Sequence, residues 1–362
     1  MNETQRGFFL HLLRRGIGTD DGTPLTPPSA SEWAELTALA SRQGLSAVLL
    51  DGLEKSDEAL QENLPADLRR RWIGQVLHHE ARYAAYERTL AEMAAFYRTH
   101  DLKMMLLKGY ACARDWPNPR HRPCGDIDIW QFGCQARADA LLQSEKGLAV
   151  DDTHHHHTLF FWNGFMVENH YDFLNVHRRR GNVAEEKVLK ALAADPDRME
   201  RTELRGETLY LPSADLHALF LLRHAMAHFA ASEINLRQVL DWAFFVKAHG
   251  AAVNWPWLLE TMTRFGRLDF LQALQAICTE DLGFDNGVPV EKADPALKER
   301  VLSGILAPQF DGKFPEALLP RLLLKYRRWR ANAWKYRLCY RESLWSSFWD
   351  GIWSHLLKPS TF

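Results

Sequence analysis

The sequence predicts an α+β fold: a small mixed sheet with flanking helices, set between N-terminal and C-terminal helical regions. Three observations predict it. Up to about residue 100, apolar residues recur at helical spacing. From Asp101 onward, short apolar runs punctuated by glycine and proline replace that pattern. After Ser213 the helical pattern returns and persists to the end. The expected division is therefore 1–100, 101–212 and 213–362.

Residues 18–31, GTDDGTPLTPPSAS, carry loop chemistry, and Ser29 or Ser31 can cap a helix starting there. Ser29 with Glu32 has the spacing of a capping box. Leu36, Leu39 and Ala40 mark one helical stripe, and Tyr86, Leu90, Met93 and Tyr97 mark another, with a break at Pro65. KMMLLKG, ending at Gly109, reads as a short buried strand, and YACARDW as a short helix. PNPRHRPCG holds three prolines in nine residues and reads as neither. DIDIWQ is a strand, and ARADALLQSEKG a helix closed by Gly147. HTLFFW and FMVENHYDF flank Asn163-Gly164, which suits a tight primed turn, so together they predict a hairpin. One more short strand is expected near Thr208–Leu211, then a long helix capped by Ser213. A helix restarts after Pro256, and GFDNGVPVEKADP is a loop.

At 362 residues the chain is long enough for roughly two domains. With 46% hydrophobic and 25% charged residues its balance is globular. A formal net charge of −2 gives no overall pull toward nucleic acid. Five scattered cysteines without a CxxC pair argue against a disulfide framework or a zinc knuckle and fit a reducing compartment. The first residues lack the pattern of a secretory signal, and no apolar run reaches the ~18 residues of a membrane span. A cytoplasmic protein is the expectation.

Asp126 and Asp128 carry the clearest chemistry. Two residues apart in a strand, they share a face, while Ile127 and Ile129 point the other way. Paired carboxylates repel, and a hard divalent cation relieves that repulsion. A solvated strand edge is the competing explanation. Context favours the metal. Gly109 closes a strand and opens a helix, where backbone N–H groups can meet phosphate. Glu168 lies in the second arm of the hairpin and can supply a third acid, as two-metal phosphoryl-transfer sites require.

LLKG, RPCGDIDI and VENH together resemble an uncharacterised bacterial nucleotidyltransferase family within the DNA polymerase beta-like nucleotidyltransferase superfamily. LLRHAMAH and LRQVLDW, in the helical part after the core, are similar to further elements of that family, and the resemblance covers about residues 100–260. It implies a polymerase beta-like core. It implies that Asp126, Asp128 and Glu168 hold two Mg²⁺ ions, with Mn²⁺ as a substitute. Glu168 would also help deprotonate an acceptor hydroxyl, which attacks the α-phosphate of an NTP, foremost ATP, and releases pyrophosphate. Lys108, Gly109, Arg122 and Gly125 would contact the nucleotide, as would His170, His224, Arg237 and Asp241. The superfamily pattern of glycine followed by serine is not met, because Tyr110 comes after Gly109. Lys108, or Arg120 and Arg122 in the proline-rich loop, would then neutralise the triphosphate.

Weaker signals remain. His154 to His157 read as a solvated loop, since alternation along a strand would send only every second ring to one side, with a metal role as the alternative. His170 shares a face with Glu168 and either orients it, touches phosphate or makes a structural hydrogen bond. His224 and His228 share a helix face without a neighbouring HExxH glutamate and read as histidines lining the nucleotide cleft. Arg237 and Asp241 read as an ion pair or as a base or ribose contact. Arg327, Arg328, Arg330, Lys335, Arg337 and Arg341 alternate with aromatics, and Trp345, Trp349 and Trp353 come next at helical spacing. This region reads as a helix with its aromatics packed inward and its arginines outward, or else as a surface for RNA, protein or membrane. A nucleotide-binding module without turnover is the remaining alternative to an enzyme. The acceptor, whether small molecule, protein or RNA, is not legible.

Overall fold

The computed structural model describes residues 2–177, 181–231, 234–285, 287–307 and 317–340. Five helices come first: α1 (Glu3–Ile17), α2 (Ala30–Arg42), α3 (Ser46–Glu54), α4 (Glu58–Asn63) and α5 (Ala66–Thr99). The sequence pattern does not announce α1, yet an Asn2–Gln5 capping box starts it and left-handed Gly18 ends it. The Ser29–Glu32 box opens α2 as expected. The break at Pro65 is present, and the stripe Tyr86, Leu90, Met93 and Tyr97 is fully buried on α5.

The α/β part consists of β1 (Met105–Leu106), α6 (Tyr110–Ala113), β2 (Ile127–Trp130), α7 (Gln135–Lys146), β3 (His157–Trp162), β4 (Phe165–His170), α8 (Asn182–Leu192), β5 (Glu200–Leu204) and β6 (Glu207–Leu211). The six strands form one mixed sheet in the order β3-β4-β2-β1-β6-β5. The β3–β4 hairpin turns on Asn163 (φ 49°) and Gly164 (φ 78°), the left-handed pair a primed turn requires. A second hairpin, β5–β6, turns on Arg205 (φ 53°) and Gly206 (φ 83°). The sequence pattern shows only its second strand, because Arg-Gly is a weaker turn signal than Asn-Gly. Strand β2 pairs parallel with β4, which sets Asp128 opposite Glu168.

The helical region returns as α9 (Ala214–Ala231), α10 (Leu236–His249), α11 (Trp255–Arg264), α12 (Leu268–Ala276), α13 (Pro295–Leu306), α14 (Leu318–Ala331) and α15 (Ala333–Tyr340). Helix α11 starts one residue before Pro256 rather than after it. Asn254 caps it, and proline is tolerated in a first turn whose N–H groups need no helical partner.

Apolar side chains form two clusters. One joins α1–α4 to α9–α13 and α15. The other fills the space between one sheet face and the second half of α5 with α7. Ile127 and Ile129 belong to this second cluster, so the intervening acids face the opposite side, as alternation predicts. Among the described residues, no helix is long and apolar enough to cross a membrane. All five cysteines are free.

Candidate active site

The sheet face not covered by α5 meets α9, and the acids lie there. Asp126 precedes β2, Asp128 is inside it, and Glu168 is directly opposite on β4. Because paired residues of neighbouring strands share a face, sheet register alone brings Asp128 and Glu168 together.

Two cations lie among these three carboxylates. Lys108, at the end of the β1 run, places its Nζ 3.0 Å from Asp128 Oδ1 and 3.6 Å from Asp126 Oδ2. The same ammonium donates to His224 Nε2 at 2.9 Å. His170, at the end of β4, directs Nε2 to Asp128 Oδ1 at 3.2 Å and lies 3.5 Å from Glu168 Oε2. Burial opposes charge on His170, but its bonds to Asp128 and Glu168 outweigh burial and push its pKa up to about 9. Burial likewise opposes charge on Glu168, yet the His170 bond, then His157 and Lys108, hold it down to about 2. Asp128 is lowered against its own burial by Lys108 and then His170. At neutral pH Asp128, Glu168 and His170 are therefore all charged. Asp128 Oδ2 is buried with no hydrogen-bond partner among the described residues. It is a buried anionic oxygen without the hydrogen bond that burial normally demands, on a residue that lines the site.

Two cavities meet at this cluster. One, of about 370 Å³, is bounded by Asp128, Glu168 and His170 on the sheet and by Phe173, Phe220, Tyr336 and Tyr340 opposite. The other, of about 230 Å³, is bounded by Gly109, Gly125, Arg237 and Asp241. Lys108, Asp126, His224 and His228 line both. His224 is held neutral by burial and then by Lys108, which leaves its Nε2 free to accept.

The remaining expected residues sort by geometry. Gly125 is exposed at the rim of the smaller cavity, and a Cβ built on it meets no heavy atom within 4 Å. Gly109 has φ 66°, and a Cβ there would collide with the Tyr86 hydroxyl, so the fold itself needs a glycine. Helix α6 behind it is four residues long. Tyr110, standing where serine was expected, is buried in the sheet's apolar cluster. Arg237 donates to the Pro123 carbonyl at 2.9 Å while its Nε is buried without a hydrogen-bond partner. Burial and then neighbouring Arg122 lower its pKa, so an anion in the smaller cavity would relieve it.

Two expectations change. Arg122 borders the smaller cavity, but its guanidinium is already engaged. It is 4% exposed and forks onto Asp241 through Nε and Nη2, both at 2.7 Å. Asp241 therefore pairs with Arg122 rather than with Arg237, and also accepts from Trp116 Nε1 at 3.1 Å. The histidine run is a loop only in part, and a half-buried one. His154–His156 form a bend before β3, where strand alternation does not apply, and His157 opens the strand at 6% exposure. Burial lowers His157 to about 4 and His156 to about 2, so both rings are neutral.

Sequence reasoning also missed residues. Arg223, beside His224 on α9, is fully buried at the floor of the larger cavity, with Nε 2.7 Å from Glu185. The LLRHAMAH segment contains it, but the paired histidines are the stronger local signal there. In the basic aromatic region, Trp334 packs on Phe229, while Lys335 is 4% exposed with its ammonium over the same ring. The aromatics pack inward there as expected, but this cation does too. Arg341, Trp345, Trp349 and Trp353 lie outside the described residues.

The comparisons with known proteins agree with this setting. No curated protein matches the chain. Among solved structures, an antigenic nucleotidyltransferase-like protein from Paracoccidioides brasiliensis aligns over 44% of this chain and 74% of its own, with 13% identity and a TM-score of 0.31. That likeness is too loose to support an argument. A family model described as "Uncharacterised nucleotidyltransferase" matches residues 29–283, reaching about 70 residues further toward the N-terminus than the motifs do. It runs from the start of α2 to just past α12, including Asp126, Asp128, Glu168 and both cavity-lining glycines. By that match over most of its length, the chain belongs to this nucleotidyltransferase family.

Proposed function

We propose that the protein transfers a nucleoside monophosphate from an NTP, ATP foremost, to a hydroxyl acceptor and releases pyrophosphate. The observation that carries this reading is the convergence of Asp126, Asp128 and Glu168 on one cavity wall, with a buried Asp128 oxygen lacking a hydrogen-bond partner. The donor set is all carboxylate oxygen, which suits Mg²⁺ or Mn²⁺. Asp126, Asp128 and Glu168 would hold it. When bound, such ions neutralise phosphate charge and orient the reacting oxygens.

The chain's own residues supply the rest. The smaller cavity fits the triphosphate: Gly125 leaves its backbone approachable, and Arg237 offers a guanidinium short of partners. The larger cavity fits the acceptor, because Glu168 and His170 border it. Glu168, ionised throughout the neutral range, accepts the acceptor's hydroxyl proton, and His170 holds its carboxylate in place. Such general-base help is typically worth ~10²–10⁴-fold. Lys108 stands where the two cavities meet and can face the phosphates from there.

A second reading has one observation in its favour. Lys108 sits inside the carboxylate cluster as a cation in its own right, which a nucleotide-binding protein without turnover could retain. One assay separates the two. Labelled NTPs, Mg²⁺ and a cell extract are offered to wild type and to Asp128→Asn. Label transferred by wild type and lost in the variant is expected. Equal transfer by both would sink the role of the aspartates, and nucleotide binding without transfer by wild type would favour the second reading.

A further inference from the structure

Nucleotidyl transfer makes no use of the histidine run, yet the fold turns two of its rings toward His170. The ring centroids of His156, His157 and His170 lie 4.5, 5.2 and 5.6 Å apart pairwise. One nitrogen from each can be chosen so that all lie within 4.8 Å of one another. His156 Nδ1 and His157 Nδ1 are both buried with no hydrogen-bond partner among the described residues. Packing imidazoles together while leaving buried nitrogens unbonded is unfavourable, unless something else bonds them.

We propose that His156, His157 and His170 form a three-nitrogen binding site for one transition-metal dication of the zinc class, beside the Asp126–Asp128 pair. Glu168 Oε2 stands at its edge, 3.7 Å from His157 Nδ1 and 3.5 Å from His170 Nε2. Tetrahedral zinc at about 2.0–2.1 Å from each nitrogen needs nitrogens roughly 3.3 Å apart, a closure of about 1.5 Å at most. The bend at His154–His156 precedes β3, where ring rotation is not fixed by ladder pairing. The outer arrangement fits as well. His170 Nδ1 faces the Asp172 carbonyl at 3.2 Å, so Nε2 would be the ligand atom, giving up its proton and its bond to Asp128 as the metal binds. His154 stacks on His157 at 4.7 Å and braces that ring from outside.

The chemical class comes from the donors. Imidazole nitrogen suits zinc, cobalt, nickel and iron, whereas magnesium takes oxygen. The proposal stands on the imidazole cluster; it shares His170 with the site of the proposed nucleotidyl transfer, but metal binding by the stripped protein is read without turnover, so failure of either reading is seen apart from the other.

The test uses the full chain stripped with a chelator and titrated with Co²⁺, whose visible absorption reports nitrogen ligation. We expect one equivalent to give such a band, Zn²⁺ to remove it, and millimolar Mg²⁺ to leave it. The double variant His156→Asn/His157→Asn should bind at least about 100-fold more weakly. Asp126→Asn should bind as wild type does. No band, a band that survives loss of both histidines, or a band lost with Asp126 would each overturn the proposal. Should the double variant fail to fold, wild type suffices. Carbethoxylation of His156, mapped by mass spectrometry, should fall with Zn²⁺ and not with Mg²⁺. Equal modification with and without Zn²⁺ overturns it too.

Discussion

Arg122 and Asp241 tie the loop before β2 to α10, four residues from Asp126, so breaking the pair should loosen the site from one edge. Both side chains are almost fully buried, at 4% and 5% residue exposure, and two 2.7 Å bonds join them. Replacing Arg122 with methionine leaves a buried carboxylate with one neutral donor, Trp116, and with Arg237 as the nearest other cation. Removing one partner of a buried pair costs about 3–5 kcal/mol. Arg122→Met belongs at the low end, since Arg237 can partly answer Asp241. Asp241→Asn belongs at the high end, because Arg122 and Arg237 then face each other without an acid. The double variant Arg122→Met/Asp241→Leu removes both charges and should lose no more than about 2 kcal/mol, since apolar replacements of whole pairs are often near neutral. Urea unfolding followed by tryptophan fluorescence gives the cycle, with an expected coupling of about 3 kcal/mol or more. Single variants within about 1 kcal/mol of wild type, or a double equal to the sum of its parts, would refute the reasoning.

Gly125→Ala should leave stability within about 0.5 kcal/mol, since its Cβ would meet nothing. The same methyl stands at the rim of the smaller cavity, so KM for the nucleotide should rise several-fold. An unchanged KM would move the phosphates elsewhere. His170 links the cluster to pH. Its pKa is about 9 in the fold against an ordinary 6.5, so its contribution is complete below pH 6.5 and is lost as pH rises through 9. At about 1.36 kcal/mol per pH unit, that gap amounts to about 3 kcal/mol. In chelator-containing buffer, the stability difference between wild type and His170→Gln should shrink by that order across this window. His121 and His249, raised despite burial by their own acids, tilt both proteins alike and cancel in the difference. Parallel curves would show that His170 is not held as an imidazolium.

The parts of the site governed by strand periodicity were legible in the sequence. Asp126 and Asp128 face away from Ile127 and Ile129, and the Asn163-Gly164 turn brings Glu168 back on the neighbouring arm. Local rules decide such features, so local sequence suffices. The partner of a buried charge was not legible. Arg122 finds Asp241 across 119 residues, and nothing near either residue signals it. The i, i+4 spacing of Arg237 and Asp241 offers a local partner, and tertiary packing chooses another. The histidine run is illegible for a different reason. Strand alternation does not govern residues that lie before the strand begins, and that boundary is set by the whole ladder and not by the run itself.

The charge balance at the centre of the site joins these observations. Asp126, Asp128 and Glu168 face the Lys108 ammonium and the His170 imidazolium, three anions against two cations. Under the proposed function, a dication bound by the acids competes with both cations for the same carboxylate oxygens. His170 is anchored on β4 and can yield only its proton. Lys108 ends a flexible stem and borders the smaller cavity as well as the acids. Its ammonium can therefore leave the carboxylates for the phosphates without any change in the backbone. A triphosphate arriving beside Arg237 would draw it there and vacate the acids in the same movement. Nucleotide and ion would then favour each other's binding through a single side chain. Under the proposed function Lys108 would thus fill the role that the absent serine left open, from the position just before Gly109 rather than just after it.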